Sequence, residues 1–341
     1  MDFTPTEAQA GARDLAARIF GDLAGPDRLK AAGTGSDPEL WKALCAAGLV
    51  GAVTDLGLLG LVLLLEEQGR TTAQVPYAAS CVYGLLALTA HGSDAQRGAL
   101  LPAVEDGSAV VAGALLAQGA VRASARGELT GTVPVVPWLR DATHVLVADA
   151  GRGLWLVPLG PGTAVTPVEL TAPWSAGRLT LDRAPAEPVG GPEAHADVLA
   201  TARTAFAGLQ AGVCAGSLAR AVAHVGAREQ FGRPLATRQA VQLRAADAHM
   251  DIEAIRVTAY EAAWRRDAGL PYATHALTAA WWASEAGHRV VHTGQHLHGG
   301  AGADLDHPVH RHFLWGRQLD AYLGCGAEVL QELGELIAHG E

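Results

Sequence analysis

The sequence predicts an α+β chain in three regions: an N-terminal α-helical domain over 1–107, a small middle antiparallel β domain over 108–192, and a C-terminal four-helix bundle domain over 193–341. Three observations carry that reading. Nine of the 17 prolines fall between Pro134 and Pro192 and only three follow, so the chain changes character twice. Inside the proline-rich stretch, apolar residues come in short β-type runs separated by Gly and Pro. From about Ala194 onward the sequence is Ala-rich with apolar residues three and four apart, the pattern of long packed helices.

Taken in order, the first helical runs span 7–20 and 38–47. At the second, Asp37-Pro38-Glu39-Leu40 supplies a capping carboxylate, a proline at the first helical position and an early acid for the helix dipole. Residues 58–68 read as a largely buried helix. Strands are expected at 133–136, 143–148, 153–159 and 178–181, and no repeat of solenoid period is visible.

Composition excludes several classes. The 341 residues carry 25 Lys+Arg against 35 Asp+Glu, a formal net charge of −10, which does not supply the basic clusters that nucleic acid requires. Hydrophobic residues make up 49 %, too many for a disordered chain. The longest near-continuous apolar run, 57–65, is half a bilayer span and ends on Glu66 and Glu67, so no membrane helix is expected. The first twenty residues mix Asp, Glu and Arg with Ala and Leu, unlike a signal or transit peptide, and a cytoplasmic location is the expectation. Cys45, Cys81, Cys214 and Cys325 lie far apart without a CxxC pair, which favours isolated buried thiols over a disulfide framework or a zinc site.

The common catalytic and nucleotide motifs are missing. There is no GxGxxG after a strand, no GxxxxGK[ST], no GxSxG and no HExxH. Seven of the 14 histidines lie between His288 and His312, and His288, His292 and His296 would share a helix face. Without an accompanying carboxylate in the HxxxH pairs they read as interface or surface histidines, and no metal is assigned. Two other segments are more informative. Arg228-Glu229-Gln230-Phe231-Gly232-Arg233-Pro234-Leu235 ends one helical run and turns into the next, with Gln239 following, and His296-Leu297-His298-Gly299-Gly300-Ala301-Gly302 closes a helix with a glycine turn. Guanidinium, amide, imidazole and glycine N–H groups are the donors that a pyrophosphate and adenosine need.

These segments, the following His307-Pro308-Val309-His310-Arg311 and the α-β-α order together resemble the acyl-CoA dehydrogenase family, whose corresponding stretches read R-x-x-F-G-(x)-P, Q-I-x-G-G-x-G and Y-P-V-E-R. Phe3-Thr4-Pro5-Thr6-Glu7, Leu40-Trp41-Lys42-Ala43-Leu44 and the segment from Leu63 to Arg70 look like its N-terminal helices. The resemblance implies the acyl-CoA dehydrogenase fold, FAD at a subunit interface, and desaturation of an acyl-CoA thioester in which a carboxylate removes the α proton and the flavin takes the β hydride. It places the ADP-side contacts, made to the flavin of the opposite chain, on Arg228, Phe231, Gln239, Gly299 and Gly300, with His296 where the family has Gln.

The same resemblance implies losses. The family's L-T-E-P-G loop falls on Leu115-Leu116-Ala117-Gln118-Gly119 and its W-I-T segment on Val135-Val136-Pro137, so the contacts to the flavin ring are gone unless Trp138 takes part through a shifted register. The base positions fall on Leu323 and, for members that keep the base on an earlier helix, on Ala202, and neither side chain accepts a proton. The pattern looks like the degenerate chain of actinobacterial α2β2 acyl-CoA dehydrogenases, several of which act on CoA thioesters of steroid side chains. That implies a homologous catalytic subunit as partner, acyl-CoA bound mainly by that partner, two FAD per tetramer, and little activity from this chain alone. Two alternatives stay open: a self-sufficient homo-oligomeric enzyme with a relocated acid or base, for which Glu328 is the nearest carboxylate, and a flavin-free scaffold protein.

Overall fold

The structure is a computed structural model that describes residues 2–116 and 121–339. Its helices are α1 (Glu7–Leu23), α2 (Pro26–Ala32), α3 (Pro38–Ala46), α4 (Val53–Thr71), α5 (Tyr77–Ala79), α6 (Ala87–His91), α7 (Asp94–Glu105), α8 (Ala194–Ala227), α9 (Gln239–Asp267), α10 (Ala273–His298), α11 (Pro308–Leu319) and α12 (Gly326–His339). Its strands are β1 (Val111–Ala114), β2 (Arg122–Ala123), β3 (Glu128–Val136), β4 (His144–Ala148), β5 (Leu154–Pro158), β6 (Thr163–Pro167), β7 (Gly177–Pro185), β8 (Glu187–Pro188), β9 (Glu229–Gln230) and β10 (Arg233–Pro234). The chain divides into two units, one made of Asp27–Leu58 and Gln74–Ala202, the other of Met1–Pro26, Leu59–Ala73 and Arg203–Glu341.

The first unit contains the sheets. The cap at Asp37 forms as its residues dictate: one carboxylate oxygen accepts from the N–H groups of Glu39 and Leu40, both at 3.0 Å, ahead of Pro38. One sheet has the order β1-β4-β5-β8 and the other β2-β3-β7-β6. Their inner faces share a core that includes Ala112, Leu129, Val133, Val145, Val157, Leu179 and Leu181. All pairings are antiparallel except one: β1 runs parallel to β4, with Val111 opposite His144. That strand, Val-Ala-Gly-Ala, has weak β-propensity and was not expected from sequence. It is set by packing, since a Cβ at Gly113 would collide with the ring of Tyr83 on the fully buried π-helical turn Ser80–Leu86.

In the second unit, α8 is the axis. Gly208, Gly212 and Gly216 recur every four residues and lie against the α4 backbone at Val62, Glu66 and Arg70, while Gly69 of α4 meets Leu209 and Val213 in return. A Cβ at Gly212 would overlap the Glu66 carbonyl and one at Gly69 the Leu209 carbonyl, so the two helices approach backbone to backbone. On another side of α8, Gly287 and Gly294 of α10 receive the side chains of Gln210 and Ser217. Glu66 is buried, and its carboxylate accepts from the Tyr260 hydroxyl at 2.5 Å and the Arg256 Nε at 2.9 Å, tying α4 to α9. Burial raises its pKa, and Arg256 opposes that rise.

The run-length reading of 57–65 overlooked α8, which is long and apolar enough to cross a membrane by length and composition. In the fold, 72 % of its apolar window is buried inside the protein. Cys81 and Cys214 are buried free thiols, and Cys45 and Cys325 are partly exposed ones.

Candidate cofactor site

α8 ends at Ala227, and the chain reverses through a two-strand ribbon, β9 with β10, before a 3-10 turn (Leu235–Thr237) leads into α9. The reversal needs left-handed backbone at its tip, where Phe231 has φ +56° and Gly232 φ +76°. At the far end of α10, Gly299 closes the helix with φ +61° and ψ −139°, a conformation that glycine alone adopts readily, and a 3-10 turn carries the chain to Ala303. A small apolar core fastens these segments: Ala221 and Val225 from the end of α8 and Leu297 from α10 pack with Leu235, Ala236 and Val241.

The residues that the sequence singled out are thereby presented at the surface around one joint. Arg228, Phe231, Gln239, His296, Gly299 and Gly300 are all exposed, and Phe231 is 91 % exposed. The ring stands uncovered at the tip of the turn. The Arg228 guanidinium has no ion-pair or hydrogen-bond partner among the described residues. Arg238 lies over the Phe231 ring, 5.2 Å from its centroid, and holds the ring on the outside of the turn. Gly299 spends its N–H on the His296 carbonyl, so it offers open backbone surface rather than the free donor expected from sequence. Around Gly299 and Gly300 a Cβ would meet nothing within 4 Å, which leaves room for close approach of a ligand.

Sequence reading missed the charge of this joint. From Arg228 to Arg244 the chain has four arginines, at 228, 233, 238 and 244, against Glu229, giving 4 − 1 = +3 within a chain of net −10. A cationic patch on an acidic protein suits an anion such as a diphosphate. His296 also lines an open groove of about 880 Å³ along α9 and α10, bordered by Arg244, Asp247, Met250, His288 and His292. His288 and His292 stack at 4.5 Å, and the His288 Nδ1 lies 3.3 Å from Asp320, so they pair with neighbours on their own unit. Burial, then His288 and Arg317, lower the pKa of His292.

The positions matched to a flavin ring and to a base differ. Of the loop matched to L-T-E-P-G, residues 117–119 lie outside the described residues; Leu115 is buried and its carbonyl faces the His195 ring at 3.0 Å. Val135 is 40 % exposed and Val136 fully buried. Trp138 does not replace the lost ring: it is fully buried and stacks on Trp174, centroids 4.5 Å apart, which leaves no face for a ligand. Among the described residues of these segments, Leu115, Val135, Val136 and Trp138 offer no side-chain hydroxyl and no uncovered aromatic face, and they do not fit an isoalloxazine.

Leu323 is 8 % exposed and Ala202 fully buried. The Leu323 carbonyl accepts from the Arg203 Nε at 3.1 Å, and the other two nitrogens of Arg203 form a two-pronged pair with Glu332 at 2.9 and 2.8 Å. Arg203, Phe206, Leu319, Tyr322 and Leu323 surround a cavity of about 20 Å³, room for about one water molecule. Phe206 and Tyr322 meet edge to face at 4.8 Å across it. The Glu328 carboxylate accepts from the Cys325 N–H at 3.0 Å and caps α12.

Comparisons agree with this architecture. The model of the acyl-CoA dehydrogenase C-terminal domain matches residues 190–333. Acyl-CoA dehydrogenase FadE27 of Mycobacterium tuberculosis is 36 % identical, with 99 % of each chain covered. Among solved structures, a variant of the Tcur3481–Tcur3483 steroid ACAD is 42 % identical with a TM-score of 0.93 over 98 % of both chains. The ChsE4–ChsE5 complex from Mycobacterium tuberculosis is 33 % identical with a TM-score of 0.92 over 99 % of both. Sequence, fold and the layout of the α8–α9 and α10 joints converge, and the chain belongs to the acyl-CoA dehydrogenase family.

Proposed function

We propose that this chain is the non-catalytic subunit of a heteromeric FAD-dependent acyl-CoA dehydrogenase, lending ADP-side contacts to FAD held mainly by a homologous complete subunit. FAD, when bound there, accepts the hydride from the substrate's β carbon. Arg228 would meet the diphosphate, Phe231 and Gln239 the adenosine side, and His296 with the Gly299–Gly300 turn the phosphate edge. The observation that carries the reading is the division within one chain: the ADP-side set is exposed at one joint with Arg228 unpartnered, whereas Leu323 stands at the matched base position beside a cavity with room for about one water molecule. Two of the most similar structures are named as two-component assemblies, one of them a steroid ACAD, and a steroid-type acyl-CoA substrate follows from that similarity.

The test is flavin counting. The chain purified alone should be nearly colourless and inactive; co-purified with its homologous subunit it should give a yellow complex with two FAD per four chains. A stoichiometric flavin spectrum and acyl-CoA dehydrogenation from the lone chain would overturn the proposal.

A further inference from the structure

Beneath the proposed ADP contacts lie three imidazoles from three separate segments. His224 of α8 stacks on His298 of α10, centroids 4.7 Å apart and planes at 27°, and His298 meets His307, ahead of α11, edge to face at 4.8 Å. Each ring is tied to the joint. The Arg228 N–H donates to the His224 carbonyl at 2.8 Å, His298 immediately precedes Gly299, and the His307 Nδ1 accepts from the Val309 N–H at 3.2 Å as the cap of α11. His298 is 5 % exposed, and its Nδ1 donates to the Gly294 carbonyl at 2.7 Å.

The charged groups facing these rings are mostly cationic. Arg228 acts on His224 and Arg220 of α8 acts on His307, while Asp304, in the segment between the glycine turn and α11, is the one carboxylate acting on His224 or His307 among the described residues. We infer that His224, His298 and His307 are positioning residues that hold the Arg228 and Gly299–Gly300 segments in register only while the His224 and His307 rings are neutral, so that retention of the dinucleotide weakens in mild acid. This inference rests on the ADP-contact reading above and adds a regulation to it. Burial, followed by the neighbouring rings and Arg228, lowers the pKa of His224; burial, then His298 and Arg220, lowers that of His307 while Asp304 opposes. A depressed folded-state pKa means that the unfolded chain binds protons first. The stack's stabilisation is therefore complete above the unfolded histidine value of ~6.5 and is lost as pH falls below it.

The experiment compares the wild type with His224→Phe/His307→Asn, which keeps an aromatic stack and a helix cap but removes two titrating rings. In the lone chain, the melting temperature of the wild type should fall more steeply from pH 7 to 5 than that of the double variant. In the co-purified complex, FAD release should speed up severalfold between pH 7.5 and 5.5 for the wild type and by much less for the variant. Identical pH profiles for the two complexes would overturn the inference while leaving the ADP-contact reading intact. An Arg228→Ala complex that keeps its flavin at pH 7.5 would overturn that reading, and the inference with it. If the double variant does not fold, ring-proton NMR of the wild-type chain with the His224 and His307 signals assigned by single substitutions decides: both of these rings titrating below the ordinary histidine value support the inference, and either one titrating at or above it overturns it.

Discussion

Arg203, inside α8, and Arg228, one residue past its last turn, show what separates the two ends of that helix. Arg228 stands in solvent at a cationic joint with no partner among the described residues, whereas Arg203 is 7 % exposed and is held by both oxygens of Glu332 and by the Leu323 carbonyl. A guanidinium kept free of internal partners can be used by an incoming anion, and one that is fully engaged stabilises its own fold. The chain has the first kind of arrangement at the joint we propose for ADP and the second beside Leu323.

The sharpest way to break this comparison is to remove each arginine in turn. Arg203→Ala should lower folding stability by about 2 kcal/mol, because it empties a buried site and leaves the Leu323 carbonyl without its donor, while the half-exposed Glu332 returns to water and flavin per folded complex stays unchanged. Denaturant unfolding with flavin counting measures both. Arg228→Ala should do the reverse: flavin affinity in the complex should fall by about 2 kcal/mol, roughly thirtyfold, with stability within about 0.5 kcal/mol of wild type. If both variants move the same quantity, the contrast between the two arginines is wrong.

Gly299→Ala should cost about 1 kcal/mol of stability, since alanine must enter a backbone region that it avoids, and a flavin titration of the complex should show weaker binding in parallel. The smallest expected effect is none. Leu323→Glu places a carboxylate on the cavity that Arg203 lines, and acyl-CoA dehydrogenation by the lone chain should stay at background. Measurable turnover would show that the loss of one carboxylate was the whole difference.

Local chemistry made much of this legible in the sequence. The Asp37 cap, the strands expected at 133–136, 143–148, 153–159 and 178–181, and the α8 to α9 turn all announce themselves through residues adjacent in the chain. β1 did not, because Ala and Gly carry no β signal and the strand is fixed by Tyr83 on a neighbouring segment. β6 did not either, being mostly exposed and short of the alternation that a half-buried strand shows. At the candidate site the exposed contacts were readable as a motif. What surrounds them was not: the Arg203–Glu332 pair and the His224–His298–His307 stack join residues far apart in sequence, and no periodicity marks them.

The glycine seam between α4 and α8 has a consequence for anyone seeking a sturdier version of the protein. Replacing helical glycine by alanine ordinarily stabilises a protein by reducing the freedom of the unfolded chain. Here Gly69 and Gly212 face carbonyl oxygens of the opposing helix, so the same replacement would wedge the pair apart. Thermostabilising substitutions belong on Gly98 or Gly226, helical positions where a methyl group meets open space, and a composition-guided design that treated all 41 glycines alike would weaken the chain it meant to strengthen.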